Sequence, residues 1–297
     1  MISITEYLEM IFEDFKRHNE EEISLCQLKS LTFAGGYLPN YNNIQIQRLY
    51  LLRYAFAYGF EYSEIYLQAL TMLNNPSKVS VVSIGCGTFI DYWSLVQTIE
   101  RTKKINCKIE YVGIDEIDWN YKFDKRNIDE VYFEECNAID FFNGISQLSF
   151  DIYFFPKSIS EFTYDELNIM ARNLEEKPIL KDKIILCFSL RADDGSRERD
   201  MGRTQKIIDA LRKNGFERIR PNYGYTYFTE NKGIITYNTD YIYPQQVYDY
   251  VTSLNNKCRR YIQNGTNCEQ DCISYLNRRP TMKTGNIYFQ IIELERI

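Results

Sequence analysis

Residues 79–91, VSVVSIGCGTFID, limit what this chain can fold into more than any other stretch. The β-branched run of Val79, Val81, Val82 and Ile84 lacks polar alternation. Burial on both faces removes that alternation, so the run predicts a central parallel strand. Gly85 and Gly87 end it, and a helix is expected to follow. Glycines at such a point allow backbone angles closed to other residues and let a ligand approach the main chain with no Cβ in the way. The pattern suits a nucleotide-like ligand over the turn, although a GxG pair alone also fits an ordinary strand-to-helix connection.

One strand-helix unit later, residues 108–115, KIEYVGID, form a second apolar run closing on an acid. In nucleoside-binding doubly wound folds, an acid at the end of the second strand accepts hydrogen bonds from ribose hydroxyls, and Asp115 is placed to do so. Next come VYFEECNAID, which carries Asn137 and Ala138 behind a strand, and DIYFFP, a strand running from Asp151 to Pro156. In this order and spacing the segments resemble the class I S-adenosylmethionine-dependent methyltransferases, over roughly residues 79–221 plus the last strand.

That resemblance implies an α/β fold with a doubly wound, mostly parallel, seven-stranded Rossmann-like sheet. It implies S-adenosylmethionine as cofactor, held by Gly85, Cys86, Gly87, Asp115, Asn137, Ala138 and Pro156. It further implies a helical segment ahead of the first strand that closes over the cofactor. The chain departs from the family pattern at Ser83, where most members carry an acid, and at Phe89, the usual third glycine. Asp91 is then expected to hold the ammonium of the methionine moiety by a charge-assisted hydrogen bond. A nicotinamide-dependent dehydrogenase shares the strand, turn and acid, but its GxGxxG would need a glycine where Ile90 stands.

Composition bounds the remaining choices. Hydrophobic residues at 44% and charged residues at 26% suit a soluble globular protein, and no apolar run approaches a membrane span. The first residues read as an amphipathic helix rather than a signal peptide, so a cytoplasmic location is expected. The 8 cysteines are dispersed, which fits free thiols better than a disulfide framework. A formal charge of -6 argues against broad nucleic-acid binding, which depends on neutralising phosphates.

Four parts are expected: a helical N-terminal cap over 1–78, a cofactor-binding core over 79–228, an inserted helical subdomain over 229–285, and a last core strand over 286–297. In the cap, Ser3 and Glu6 form a capping-box pattern for a first helix, and a second runs from about Ile44 to Leu73, stopped by Asn74-Asn75-Pro76. Tyr50, Tyr54, Tyr58, Tyr62 and Tyr66 recur every four residues along it. Such a stripe serves either as a packing seam or as an aromatic wall over the substrate pocket, with Tyr54 and Tyr58 as substrate-binding candidates. The segment after Asp115 is expected to be partly helical, with Trp119 either covering the adenine or packing. Short helices are expected near 141–148, 163–174 and 204–214. In the insertion, helices are expected near 245–262 and 268–276, too short for an independent core.

Catalysis offers fewer signals. Methyl transfer from a sulfonium is a direct displacement, so alignment supplies most of the acceleration. Lys157, Ser158 and Glu161, after the fourth strand, could orient an acceptor or take its proton; equally, Ser158 could cap the next helix and Glu161 sit in solvent. The Asn/Asp-Pro-Pro-aromatic set of exocyclic-amine DNA methyltransferases is missing. Arg191 and Asp193 lie where a substrate group would be recognised, within a charged stretch, RADDGSRERD, that also reads as a solvated loop. Cys258, Cys268 and Cys272 lack the spacing of paired zinc knuckles, and His18 is the single histidine, so no metal site is expected. The favoured acceptor is a small molecule or a protein. A nucleic acid read by Arg259, Arg260, Arg278 and Arg279, or a non-catalytic regulatory role, stands as the alternative.

Overall fold

The structure is a computed structural model and describes residues 1–22, 24–32, 39–102, 106–190, 194–219, 226–227, 242–264, 271–281 and 288–297. Among the described residues two α-helices precede the sheet, with a 3-10 turn at Cys26–Ser30 between them. Helix α1 (Ile4–Glu21) starts with the capping box expected from sequence: the Ser3 amide donates to Glu6 Oε2 at 2.8 Å and the Glu6 amide to Ser3 Oγ at 3.2 Å. Helix α2 (Ile44–Met72) is capped by the Asn43 side chain. It stops where Asn74 and Asn75 take positive φ just before Pro76, a proline being unable to continue the helix. Most of α2 is buried, including the charged Arg53, Glu61 and Glu64.

Strands and helices then alternate: β1 (Lys78–Ile84), α3 (Ile90–Arg101), β2 (Lys108–Asp115), β3 (Glu130–Glu135), α4 (Ala138–Gly144), β4 (Ile152–Pro156), α5 (Tyr164–Glu176), β5 (Lys183–Leu190) and α6 (Asp194–Lys213). Among the described residues, β6 (Phe216–Arg218) and β7 (Thr226–Tyr227) are followed by the short α-helices α7 (Gln245–Val251), α8 (Arg259–Asn264) and α9 (Asp271–Leu276), and by the strand β8 (Tyr288–Arg296). The strand order is β3-β2-β1-β4-β5-β8-β6. The pairings among β1 to β5 are all parallel, and β8 is antiparallel to β5 and to β6, with β7 pairing its other end. The order reverses between β1 and β4, so the open crevice lies at their carboxyl ends, between Ile84 and Pro156.

Alternate residues of each strand feed two cores. Val79, Val81, Phe154 and Cys187 face α1, α2 and α3, whereas Val82, Ile84, Phe155 and Phe188 face α4, α5 and α6. The first of these cores extends beyond the sheet. Val247, Leu254, Cys258 and Leu276, from the segment between β7 and β8, belong to the same cluster as α1 and α2. Polar contacts reinforce the docking: the Tyr243 hydroxyl donates to Leu52 O at 2.7 Å, and Arg53 Nη2 donates to Tyr275 O and Leu276 O at 2.9 and 2.8 Å. The described residues between β7 and β8 therefore pack on the N-terminal helices.

Several local expectations need correction. Residues 116–129 contain turns and no helix. Helix α4 begins at Ala138, not near Phe141, because the Asn137 side chain caps it by accepting from the Ile139 amide at 2.7 Å. The charged stretch read as a loop is largely helical, α6 starting at Asp194. The helix expected over 245–262 is broken after Val251 and resumes at Arg259. At the end of the expected core, residues 220–225 and 228 lie outside the described residues. Among the described residues no helix is long and apolar enough to cross a membrane.

Candidate functional site

A cavity of about 310 Å³ opens at the switch point, within the usual size range for small-molecule sites. Its floor is the β1 turn. The Gly85 and Cys86 amides both donate to Ile114 O, at 2.8 and 3.0 Å, so the turn is pinned to the end of β2. Gly85 has φ of 79°, and a Cβ there would lie 2.6 Å from the Ser158 Cβ, so this position requires glycine twice over. Ser158, only 5% exposed, donates its hydroxyl to Ile84 O. It therefore buttresses the turn and does not cap the next helix, which Thr163 caps.

Asp115 ends β2 at the cavity wall. Its Oδ2 accepts from the Gly87 amide at 2.9 Å, and its Oδ1 accepts from the Ile117 amide at 2.9 Å and from Trp119 Nε1 at 3.3 Å. Burial raises its pKa above the usual carboxylate value, the Ile117, Gly87 and Trp119 hydrogen bonds oppose the rise, and Glu116 adds to it. Beside it, Asn137 Nδ2 donates to Glu116 and, at 3.4 Å, to Glu166 Oε1. Glu166 is held below the usual carboxylate range by the Thr163 amide and hydroxyl.

The roof comes from α2 and the residues before it. Tyr50, Tyr58 and Tyr62 line the cavity with Tyr41 and Pro39. Trp119 meets this roof, 4.9 Å from the Tyr41 ring and 5.6 Å from the Tyr50 ring. The tyrosine stripe thus divides by helical rotation. Tyr54 stacks on Tyr58 at 5.9 Å without lining the cavity, and Tyr66 is buried against Phe154. The stripe thus packs at Tyr66 and lines the cavity at Tyr50, Tyr58 and Tyr62.

At the far side Lys157 leaves β4 with φ of 63°, a left-handed conformation unusual for a lysine. Its Nζ donates to Glu61 Oε1 at 3.1 Å and to Leu190 O at 2.6 Å. Glu61 also accepts from the Ser189 hydroxyl at 2.6 Å and is fully buried; burial raises its pKa, and Lys157 and Ser189 oppose the rise.

The wall therefore gathers most of the residues expected from sequence: Gly85, Cys86, Gly87, Asp115, Asn137, Ala138, Pro156, Lys157, Ser158, Glu161 and Tyr58 all border the one cavity. Glu161 is exposed at its edge. Two expected residues do not border it. Tyr54 is one. Asp91 is the other: it is 1% exposed and lies beneath the turn, where it accepts from the Tyr111 hydroxyl at 2.9 Å and the Tyr66 hydroxyl at 3.2 Å. In this position it does not reach a ligand's ammonium. Arg191 and Asp193 lie outside the described residues. Cys258 and Cys272 are buried in the first core, and Cys268 is outside the described residues. No described residue of the segment between β7 and β8 borders the cavity, Arg259, Arg260, Arg278 and Arg279 included.

Sequence reasoning passed over Tyr41, Tyr50, Tyr62, Phe162, Glu116 and Glu166 as lining residues, and Glu61 as the partner of Lys157. The four-residue tyrosine spacing held the signal for Tyr50 and Tyr62. Phe89 was read as a departure from a glycine pattern, and its backbone keeps the glycine conformation, with φ of 64°. Its ring packs on Tyr111 at 5.4 Å in space that Gly113 leaves free, since a Cβ at Gly113 would lie 2.7 Å from Phe89 Cε1.

No family model matches this chain, and no curated protein matches it. Solved structures are similar at low identity. A structure of the plantazolicin methyltransferase BpumL in complex with SAH is 12% identical, over 97% of this chain and 100% of that one, with a TM-score of 0.45. An S-adenosylmethionine-dependent methyltransferase from Archaeoglobus fulgidus is 13% identical over 79% and 94%, with a TM-score of 0.39. The mycolic acid cyclopropane synthase CmaA1, complexed with SAH and CTAB, is 9% identical over 77% and 83%, with a TM-score of 0.38. Strand order, the reversal between β1 and β4, and the antiparallel β8 give this chain the Rossmann-like fold of the class I S-adenosylmethionine-dependent methyltransferases.

Proposed function

We propose that this chain binds S-adenosylmethionine in the cavity at the end of β1 and transfers its methyl group to a small-molecule acceptor. The observation that carries this reading is the charge of the wall. Asp115, Glu116, Glu161 and Glu166 face Lys157, the only basic side chain among the described lining residues, and Lys157 is already paired with Glu61. A net negative wall favours a cationic nucleoside and disfavours a dinucleotide, whose pyrophosphate would meet carboxylates. The fit with an adenosine is local as well. Asp115 lies at the ribose position of a doubly wound fold, and Asn137 and Ala138 lie one strand further along.

When bound, S-adenosylmethionine supplies a methyl group activated on a sulfonium. Asp115, held by the Gly87 and Ile117 amides, accepts from the ribose hydroxyls and fixes the nucleoside along the sheet edge. The tyrosine roof with Trp119 screens the cavity from water and keeps its local dielectric low, which strengthens each polar contact inside. Acceptor and cofactor share one small roofed space, so alignment within it provides the acceleration. That enclosure, and the absence of Arg259, Arg260, Arg278 and Arg279 from the described wall, support a small molecule over a nucleic acid.

Calorimetric titration with S-adenosylhomocysteine and with NAD tests the reading: the former is expected to bind and the latter not. Asp115→Ala should weaken S-adenosylhomocysteine by about 1.5–3 kcal/mol, the range for hydrogen bonds to a charged group. Affinity should also fall with acidity sooner than an ordinary carboxylate would make it, because protonating a raised-pKa Asp115 removes an acceptor. An unchanged dissociation constant in Asp115→Ala would sink the assignment, and tight NAD binding would sink the proposed function.

A further inference from the structure

Lys157 is held more firmly than a wall residue needs to be. Its left-handed backbone costs a non-glycine residue roughly 1 kcal/mol and persists only where the surroundings impose it. Here they come from two elements, β5 and α2: its amide donates to Ser189 O at 3.1 Å, its Nζ to Leu190 O at the end of β5, and the same Nζ to Glu61 of α2. The Nζ lies 5.5 Å from the centroid of the Tyr58 ring, which lines the cavity. Glu61 is fully buried, and its Oε2 has no hydrogen-bond partner. A buried carboxylate left half satisfied is a poor stabilising device, because desolvation outweighs what one ion pair returns. The arrangement makes better sense as a fixture that keeps one ammonium at one point of the cavity.

The amino-acid end of S-adenosylmethionine carries one carboxylate, and the wall offers one described cation. Asp91, turned under the turn, takes no part there. We propose that Lys157 holds the α-carboxylate of the methionine moiety, and that Glu61 of α2 is the positioning residue that fixes Lys157 for it. The helical segment upstream of the sheet then completes the cofactor site and is more than a cover. This inference rests on the S-adenosylmethionine reading above.

Three ligands separate the two claims: S-adenosylhomocysteine, its decarboxylated analogue, and 5′-methylthioadenosine, which lacks the amino-acid end altogether. The wild-type protein should prefer S-adenosylhomocysteine over the decarboxylated analogue by about 10- to 100-fold, as a charge-assisted hydrogen bond implies. Lys157→Met should cut that preference to below about 3-fold while 5′-methylthioadenosine affinity stays within about 2-fold, the latter serving as the control for folding. Glu61→Gln should lower the same preference by a smaller factor, since the ammonium remains but its anchor is weaker; a purely structural role would weaken all three ligands alike. Equal losses across the three ligands, or an undiminished preference in Lys157→Met, would overturn the role of Lys157. Failure of the wild-type protein to bind any of the three would overturn the methyltransferase reading and this inference with it.

Discussion

Two aspartates near the β1 turn differ in access: Asp115 borders the cavity, whereas Asp91 is 1% exposed beneath the turn. Asp115 was legible because a strand fixes direction: the last residue of β2 must face the crevice at the carboxyl edge. Asp91 was not, because the second residue of α3 faces wherever the helix is rotated, and that rotation is set by Phe89 in a left-handed cap packed over Gly113. The result is a carboxyl enclosed by Tyr66 and Tyr111, whose pKa burial raises to about 6 against the opposing pull of those hydroxyls. A folded carboxyl with a raised pKa keeps its proton to a higher pH than the unfolded chain does. Its contribution to stability is thus complete below about pH 4 and lost as the pH rises to about 6. At 1.36 kcal/mol per unit the loss is on the order of 2–3 kcal/mol. Asp91→Asn has no such titration, so its stability relative to the wild-type protein should improve by that order between pH 4 and 6 and level off above. Parallel denaturation curves across that interval would refute the account.

Among the elements, α2 carries the most roles, and its tyrosine spacing announced only some of them. A four-residue repeat drifts around a helix of 3.6 residues per turn. Tyr50, Tyr58 and Tyr62 consequently reach the cavity, while Tyr66 ends under the sheet against Phe154 and Asp91. What the repeat did not reveal is the opposite face, where Arg53 reaches the insertion. It is 1% exposed, and burial lowers its pKa to about 10. Nη2 caps the carboxyl end of α9 through Tyr275 O and Leu276 O, while Nε and Nη1 have no hydrogen-bond partner. A contact between residues more than two hundred positions apart leaves no local periodicity, which is why the docking of the insertion was illegible. Arg53→Met keeps much of the volume and removes the cap. The charge-assisted bonds lost are partly offset by a buried charge that no longer needs solvating, so the net effect should be local. Amides of α9 should exchange about tenfold faster, equivalent to about 1.4 kcal/mol of easier opening, with the sheet unaffected. Equal acceleration in β1 and β5 would show that Arg53 holds the whole fold and not one helix.

At the scale of the molecule, the N-terminal helices, the insertion and one face of the sheet share a single apolar core. Alternating strands and the glycine turn made the sheet readable, since each is written in contiguous residues. The shared core was not, because it joins α1, α2 and α7 with Val79, Phe154 and Ile291 across the full length of the chain. The helical segment is therefore expected to be indispensable to folding. Ile4, Leu8, Phe15, Leu52 and Ile65 are each fully buried within that core, and burying a side chain of this kind contributes roughly 1.5–3 kcal/mol. A handful of such losses matches the whole stability of a domain, about 5–15 kcal/mol. Deleting residues 1–75 also strips the face of β1, β4 and β5 that α2 covers, and takes Glu61 and the tyrosine roof with it. The truncated chain should therefore lack a cooperative thermal transition and expose apolar surface, visible as dye binding and aggregation at micromolar concentration. A soluble truncation that unfolds cooperatively would refute the shared-core argument. If it also bound S-adenosylhomocysteine like the full chain, Glu61 and the roof would have no part in holding the cofactor.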